Sequence, residues 1–154
     1  MKPEIAKQLQ TLLDDRDRQK QVASARASEQ QKAEAKNLAD FAAKKDQVIK
    51  PAFQEIVDLY GTKSIALHIE EQDECRNDRG GTQPPSIRLN MAAACPPTDM
   101  RPEFRFTFEK QSRKLSLYTA TQGQSGPGGE APLDSLTADW IHAAFLKYAS
   151  GSLR

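Results

Sequence analysis

Residues 1–50 read MKPEIAKQLQTLLDDRDRQKQVASARASEQQKAEAKNLADFAAKKDQVIK. After Pro3 the stretch has no glycine and no proline, and it is packed with Gln, Lys, Glu, Ala, Arg and Asp, which mostly enter a helix with little loss of rotamer freedom. Pro3 suits the first helical position, where its missing N–H is not needed. Ile5, Leu9 and Leu12 fall on one stripe at four- and three-residue steps. The stripe then passes through Arg16, Gln19, Ala23 and Ala27, and returns as Leu38, Phe41, Lys45, Val48 and Ala52. Joining the two apolar runs takes consecutive four-residue steps near Ala23–Gln31, a stutter that locally unwinds a left-handed coil.

A helix over Glu4–Lys50 would be roughly 70 Å long. That exceeds any domain the remaining residues can build, so the helix cannot be stabilised by its own domain throughout. Two arrangements follow. The arm pairs with another helix, most simply a second copy, as an irregular coiled coil; or it stands as a solvated helix held at its two apolar ends. A helical hairpin is disfavoured, because no turn signal interrupts residues 4–50. The expected partner-contact residues are Ile5, Leu9, Leu12, Leu38, Phe41 and Val48. The first three form a distal tip where contact is expected most, and the later cluster is expected to dock on the head.

Lys50-Pro51 is the first punctuation and is expected to kink or restart the helix. Ala52, Phe53, Ile56, Val57, Leu59 and Tyr60 form a short apolar face ending at Gly61, a natural C-terminal stop. Ser64–Glu70 alternates, with Ile65, Leu67 and Ile69 on one side and Ala66, His68 and Glu70 on the other. After the polar loop EEQDECRNDRGGTQPP come Ile87, Leu89 and Met91. After AACPPTDMRP come Phe104, Phe106 and Phe108, then Leu115, Leu117 and Thr119. Four alternating strands joined by turns predict an antiparallel meander with one buried face. TQGQSGPGGEAP is a flexible linker by composition. Asp134, Ser135 or Thr137 can cap a last helix carrying Leu136, Trp140, Ile141, Ala144, Phe145 and Tyr148 on one side, with Gly151 at its end.

The sequence thus predicts an α+β protein. A long N-terminal α-helix, a coiled-coil-like arm over residues 1–50, is followed by a head over residues 51–154. In the head, a four-stranded antiparallel meander is packed on one face by a short helix and a C-terminal helix. Such a head can bury enough surface to fold alone.

Composition narrows the function. The chain has 154 residues and a net charge of +1, with 11 basic and 10 acidic residues through Thr62 and 11 of each beyond. No phosphate-tracking surface is implied. Arg16, Arg18, Lys20, Arg26, Lys32 and Lys36 are interleaved with Asp14, Asp15, Asp17, Glu29 and Glu34, as on an ordinary exposed helix. No apolar run spans a bilayer and MKPEIAKQLQ lacks a signal-peptide core, so a soluble, cytoplasmic protein is expected. Cys75 and Cys95 then read as free thiols, with a disulfide between their loops as the alternative.

Chemistry is sparse. His68, His142, Cys75 and Cys95 lack the close pairing of a zinc motif. Cys95 sits before two prolines with no fixed basic neighbour to activate it. GQSGPGG lacks the Lys-Ser/Thr ending of a phosphate loop. The acidic run from Glu70 to Asp78 lacks calcium-loop spacing and is broken by Arg76. No metal, cofactor or catalytic residue is expected. The outward sheet face is more specific: strands pairing in order would align His68, Arg88, Arg105 and Tyr118, a row suited to a carboxylate or phosphate. The plainer reading is a solvent-facing surface with cross-strand pairs such as Glu70–Arg88 and Glu103–Arg113. The leading functional expectation is a non-enzymatic interaction protein, an adaptor, assembly factor, chaperone or inhibitor, with a protein partner and self-association through the arm. The alternative is a small-ligand or anion-binding domain using the polar sheet face. An enzyme or a nucleic-acid-binding protein comes third.

Overall fold

The computed structural model describes residues 1–91, 103–121 and 124–152. By its contacts the chain divides into two units, Met1–Lys36 and Asn37–Arg154. The protein is α+β, with a long N-terminal helix, an antiparallel sheet and a C-terminal helix. Residues 92–102, with Cys95, lie outside the described residues.

The first unit is helical from Pro3 onward, as part of α1 (Pro3–Lys44). The Ile5 and Ala6 N–H groups both donate to Lys2 O at 3.1 Å. Every residue of Met1–Lys36 except Glu34 is exposed. Local side-chain bonds run along it: Gln10 donates to Asp14 at 3.1 Å and Gln30 to Glu34 at 3.2 Å. Such pairs add only a few tenths of a kcal/mol each, about 0.2–0.5.

The second unit holds the described core. α1 ends at Lys44, a single π-helical turn covers Lys45–Ile49, and α2 runs Lys50–Gly61. The Lys50 N–H reaches back five residues to Lys45 O. In an undisturbed helix the Pro51 ring would press on the carbonyl four residues earlier. The wider turn just before it relieves that clash, so the helix runs on through Lys50–Pro51 instead of restarting. Phe41 and Ile49 are both buried in the core. The second unit's packing therefore begins upstream of the Lys50–Pro51 joint read from the sequence.

α2 ends at Gly61, but the left-handed cap residue lies three positions further on. The Ile65 N–H donates to Tyr60 O at 3.1 Å and the Ser64 N–H to Gly61 O at 3.1 Å, while Ser64 takes φ 60°. These are the two bonds of a Schellman cap, with Ser64 holding the left-handed position that glycine usually fills.

The strands are β1 (Leu67–Gln72), β2 (Cys75–Arg76), β3 (Thr82–Gln83), β4 (Ser86–Met91), β5 (Glu103–Glu109), β6 (Lys114–Thr121) and β7 (Gln124–Pro132). The sheet order is β1-β4-β5-β6-β7, an antiparallel meander, with β2 and β3 forming a small separate hairpin. The main sheet has five strands, not four. The added strand is QSGPGGEAP, most of the segment read as a linker. β7 lies at the sheet edge and pairs with β6 alone, so Pro127 and Pro132 need to donate nothing outward. The register shifts between Leu117, opposite Gly129, and Tyr118, opposite Pro127, leaving Gly128 as the bulged residue. Gly129 takes φ 128°, and a Cβ on Gly128 would lie 3.0 Å from Leu117 side-chain carbons. Glycine is therefore required at the bulge.

One sheet face is apolar: Leu67, Ile87, Leu89, Phe104, Phe106, Phe108, Leu115, Leu117 and Ala131 are buried. Phe41, Ile49, Ala52, Phe53 and Ile56 cover it together with a 3-10 turn (Leu133–Ser135) and α3 (Ala138–Ser152), which contribute Leu133, Ile141 and Phe145. The Thr137 hydroxyl accepts from the Trp140 N–H at 3.2 Å, making it the cap of α3. α3 runs to Ser152, one residue past the Gly151 expected at its end.

Candidate interaction surfaces

The strand register tests the transverse row directly. Arg88 pairs with Arg105 and Arg105 with Tyr118, so three of the four residues stand side by side. Glu70, not His68, occupies the fourth place opposite Arg88; His68 lies opposite Asn90, two residues along the strand, and is exposed. The offset follows from the β1–β4 register, which alternation alone leaves open.

The row is balanced in charge. Arg88 donates from Nε to Glu70 Oε2 at 2.8 Å and forms a second, very close contact from Nη2 to the same oxygen. Glu103 Oε1 lies 3.2 Å from Arg105 Nη1 and 3.6 Å from Arg88 Nη1. Those two approaches are ion pairs in distance only, because neither makes a directed hydrogen bond to that oxygen. The Arg105 guanidinium lies over the Tyr118 ring, 4.8 Å from its centroid. Two guanidiniums face two carboxylates, so little positive charge is left for a free anion. The cross-strand pair Glu70–Arg88 read from the sequence is present. Arg113 belongs elsewhere.

Arg113 sits at the β5–β6 turn with φ 56°, a backbone state uncommon for a side chain of its size. Its Nη1 donates to Asn37 Oδ1 at 2.7 Å and to Asp40 Oδ2 at 2.8 Å, and its Nη2 to Asp134 Oδ1 at 2.7 Å. The Asp40 and Asp134 carboxylates raise its pKa above the ordinary arginine range, with Asp40 the larger contributor. The Asn37 amide donates to Lys110 O at 2.8 Å. The turn is thereby tied to both the helix and the 3-10 turn. Sequence reading missed this cluster, since its members are separated by dozens of residues.

A second polar cluster gathers at the π-turn. Lys45, buried above the Phe41 ring at 5.8 Å, pairs with Glu71 at 3.4 Å. Lys50 pairs with Glu71 at 3.0 Å and Asp46 at 3.2 Å, and the Glu71 contact is the main reason its pKa is raised.

Two grooves remain. One, of about 350 Å³, lies between Glu74, Thr82, Pro84 and Pro85 on one side and Thr107 and Ser116 on the other, with the Lys110–Glu74 pair at 3.0 Å. The other, of about 320 Å³, lies between α2 and α3 around Leu59, Tyr60, Phe145 and Leu146. There His142 Nε2 is 3.0 Å from Glu55 Oε2. Cys75 is a free, exposed thiol. Among the described residues no three His, Cys, Asp or Glu side chains are grouped to hold a metal ion. No helix of the described residues is long and apolar enough to cross a membrane.

The expected partner-contact residues separate into two sets. Phe41 is 2% exposed, stacked on Phe108, and Leu38 and Val48 pack against the same core. Those three are occupied within their own unit. Ile5, Leu9 and Leu12 are 46%, 45% and 65% exposed. Comparison with models of known protein families, with curated proteins and with solved structures finds no match.

Proposed function

We propose that this chain is a non-enzymatic protein–protein interaction module, of the adaptor, assembly-factor, chaperone or inhibitor kind, that engages its partner through the N-terminal helix. The observation that supports this is the state of Ile5, Leu9 and Leu12. They form an apolar stripe on a helical unit in which only Glu34 is even partly buried. A helix of this composition gains most of its stability from packing, and the first unit supplies none. The three are 45–65% exposed, so covering what remains of each is worth about 1 kcal/mol, roughly half the full-burial value. The balanced Glu70–Arg88–Arg105–Glu103 row argues in the same direction, because it weakens the case for an anion on the sheet.

The test uses the full chain, tagged and expressed at its native level. In fresh extract it is expected to run in an assembly heavier than its own 17.1 kDa. The Ile5→Ser/Leu9→Ser/Leu12→Ser variant is expected to run as a single chain. Equal masses for both proteins would overturn the proposal.

A further inference from the structure

The two edges of the main sheet differ. The Phe108 N–H donates to Pro85 O at 3.0 Å and the Leu133 N–H to Arg113 O at 2.9 Å, which fixes the residues of each strand that bond to each neighbour. On β7 the outward-turned residues include Pro127 and Pro132, which carry no N–H, and the Gly128 bulge interrupts the row. That edge is closed to a further strand. On β1, His68, Glu70 and Gln72 bond to β4, so the N–H and C=O groups of Leu67, Ile69 and Glu71 point away from the sheet. None of these three makes another backbone bond among the described residues, and β1 holds neither a proline nor a bulge. This edge is open.

We infer that β1 takes the β1 of a second copy of this chain as its next strand, antiparallel across a twofold axis at Ile69, so that one sheet runs through both copies. The contact belongs to the second unit and is separate from whatever the arm engages. It is small, about six ladder bonds, so pairing is expected in concentrated protein and not at the level of an extract.

The register follows from the side chains. An axis at Ile69 sets His68 against Glu70 of the other copy, twice, at positions where facing side chains come closest because their backbone groups bond inward. Both residues are exposed. Ile69, half-buried at the rim of the core, meets its own copy. Leu67 meets the stem of Glu71, whose carboxylate is held by Lys45 and Lys50. Moving the axis to Glu70 sets that carboxylate against itself. Moving it to His68 sets the imidazole against itself and faces Ile69 with Leu67, which is only 8% exposed and gains little. With the axis at Ile69, Glu70 lies diagonal to its own copy, but Arg88 already pairs with it. Charged side chains commonly keep an edge strand single; here they match across the axis.

The experiment uses purified full-length protein carrying Ile5→Ser/Leu9→Ser/Leu12→Ser and Cys75→Ser/Cys95→Ser, which removes the arm's stripe and the native thiols. Copies with His68→Cys are mixed with copies with Glu70→Cys and oxidised gently. Facing residues bring those Cα atoms to about 4.5 Å, within disulfide reach, whereas copies of one kind meet on the diagonal at roughly 7–8 Å, outside it. A disulfide-linked pair with one copy of each kind is expected to form about tenfold faster than a pair in either variant alone. Cross-linking no faster in the mixture overturns the inference. In the same background without the new cysteines, sedimentation at rising concentration is expected to show association weakened about fivefold by His68→Glu and kept by His68→Lys. Equal weakening by both, or a single chain at every concentration, also overturns it. Neither readout involves the arm's stripe, so the proposed function stands or falls on the extract test alone.

Discussion

Phe41 of α1 lies flat on Phe108 of β5, with ring centroids 4.6 Å apart and planes 5° from parallel. The contact joins a helix residue to a strand residue far along the chain, and both rings are fully enclosed. One turn away in each direction the helix contributes Asn37 to the Arg113 cluster and Lys45 to Glu71. The last turns of α1 are therefore core.

Replacing Phe41 with alanine removes a stacked ring from a closed site. The loss is expected to be about 3–5 kcal/mol, read as a lower urea midpoint with an unchanged slope. Leu9→Ala, on the exposed tip, is expected to change the unfolding of the second unit by less than ~0.5 kcal/mol. Comparable losses for the two variants would contradict the assignment of Phe41 to the core and Leu9 to the surface.

Ser64 holds a left-handed conformation at the end of α2. Glycine adopts it without a Cβ clash, though it also loosens the unfolded chain. Ser64→Gly is expected to stabilise the fold by about 0.5–1 kcal/mol, whereas Ser64→Val should destabilise it. Thermal unfolding of the two variants is the check, and a loss of stability in the glycine variant would count against the cap.

At Arg113, strain and attraction can be separated. Arg113→Gly relieves the positive φ and loses the three side-chain bonds, while Arg113→Ala loses the same bonds and keeps the strain. Stability should fall in the order wild type, glycine variant, alanine variant. Equal stability of wild type and alanine variant would show that the cluster contributes nothing.

Lys50 has its pKa raised by Glu71 and Asp46. Its stabilising contribution is therefore fully present below the ordinary lysine value of 10.5 and fades as pH rises through the higher folded value. The stability difference between wild type and Lys50→Met should be constant from pH 7 to 9 and shrink only in strong alkali. A difference that disappears near neutral pH would mean another group is responsible.

The balanced sheet row makes its own prediction. Citrate or phosphate should leave the melting temperature of the wild type unchanged beyond general salt effects. The Glu70→Gln/Glu103→Gln variant, with both guanidiniums released, should gain several degrees. Stabilisation of the wild type by millimolar anion would revive the ligand reading.

Much of this architecture is legible in the sequence where side chains alternate under a strong apolar signal. Ile87, Leu89, Phe104, Phe106, Phe108, Leu115 and Leu117 all point into the core as their period-two spacing implies. Three residues of the polar row follow from the same alternation, because a simple meander keeps Arg88, Arg105 and Tyr118 aligned. His68 misses the row because β1 runs Leu67–Gln72, two residues beyond the stretch read from its alternation. β7 was hidden by its composition. Glycines and prolines give no alternation to read, and the strand is held by β6's backbone and by a bulge that only glycine allows. The π-turn was hidden for a related reason: nothing in Lys45–Ile49 departs from helix-forming residues, and the change is imposed by the ring of Pro51 beyond it.

Amide hydrogen exchange over residues 4–16 of the purified full-length chain, followed as concentration rises, tests the role of the tip most directly. The account predicts fast exchange there in dilute solution and slow exchange when concentrated. In the Ile5→Ser/Leu9→Ser/Leu12→Ser variant exchange should stay fast throughout. Concentration-dependent protection confined to the second unit, with residues 4–16 unprotected, would contradict it.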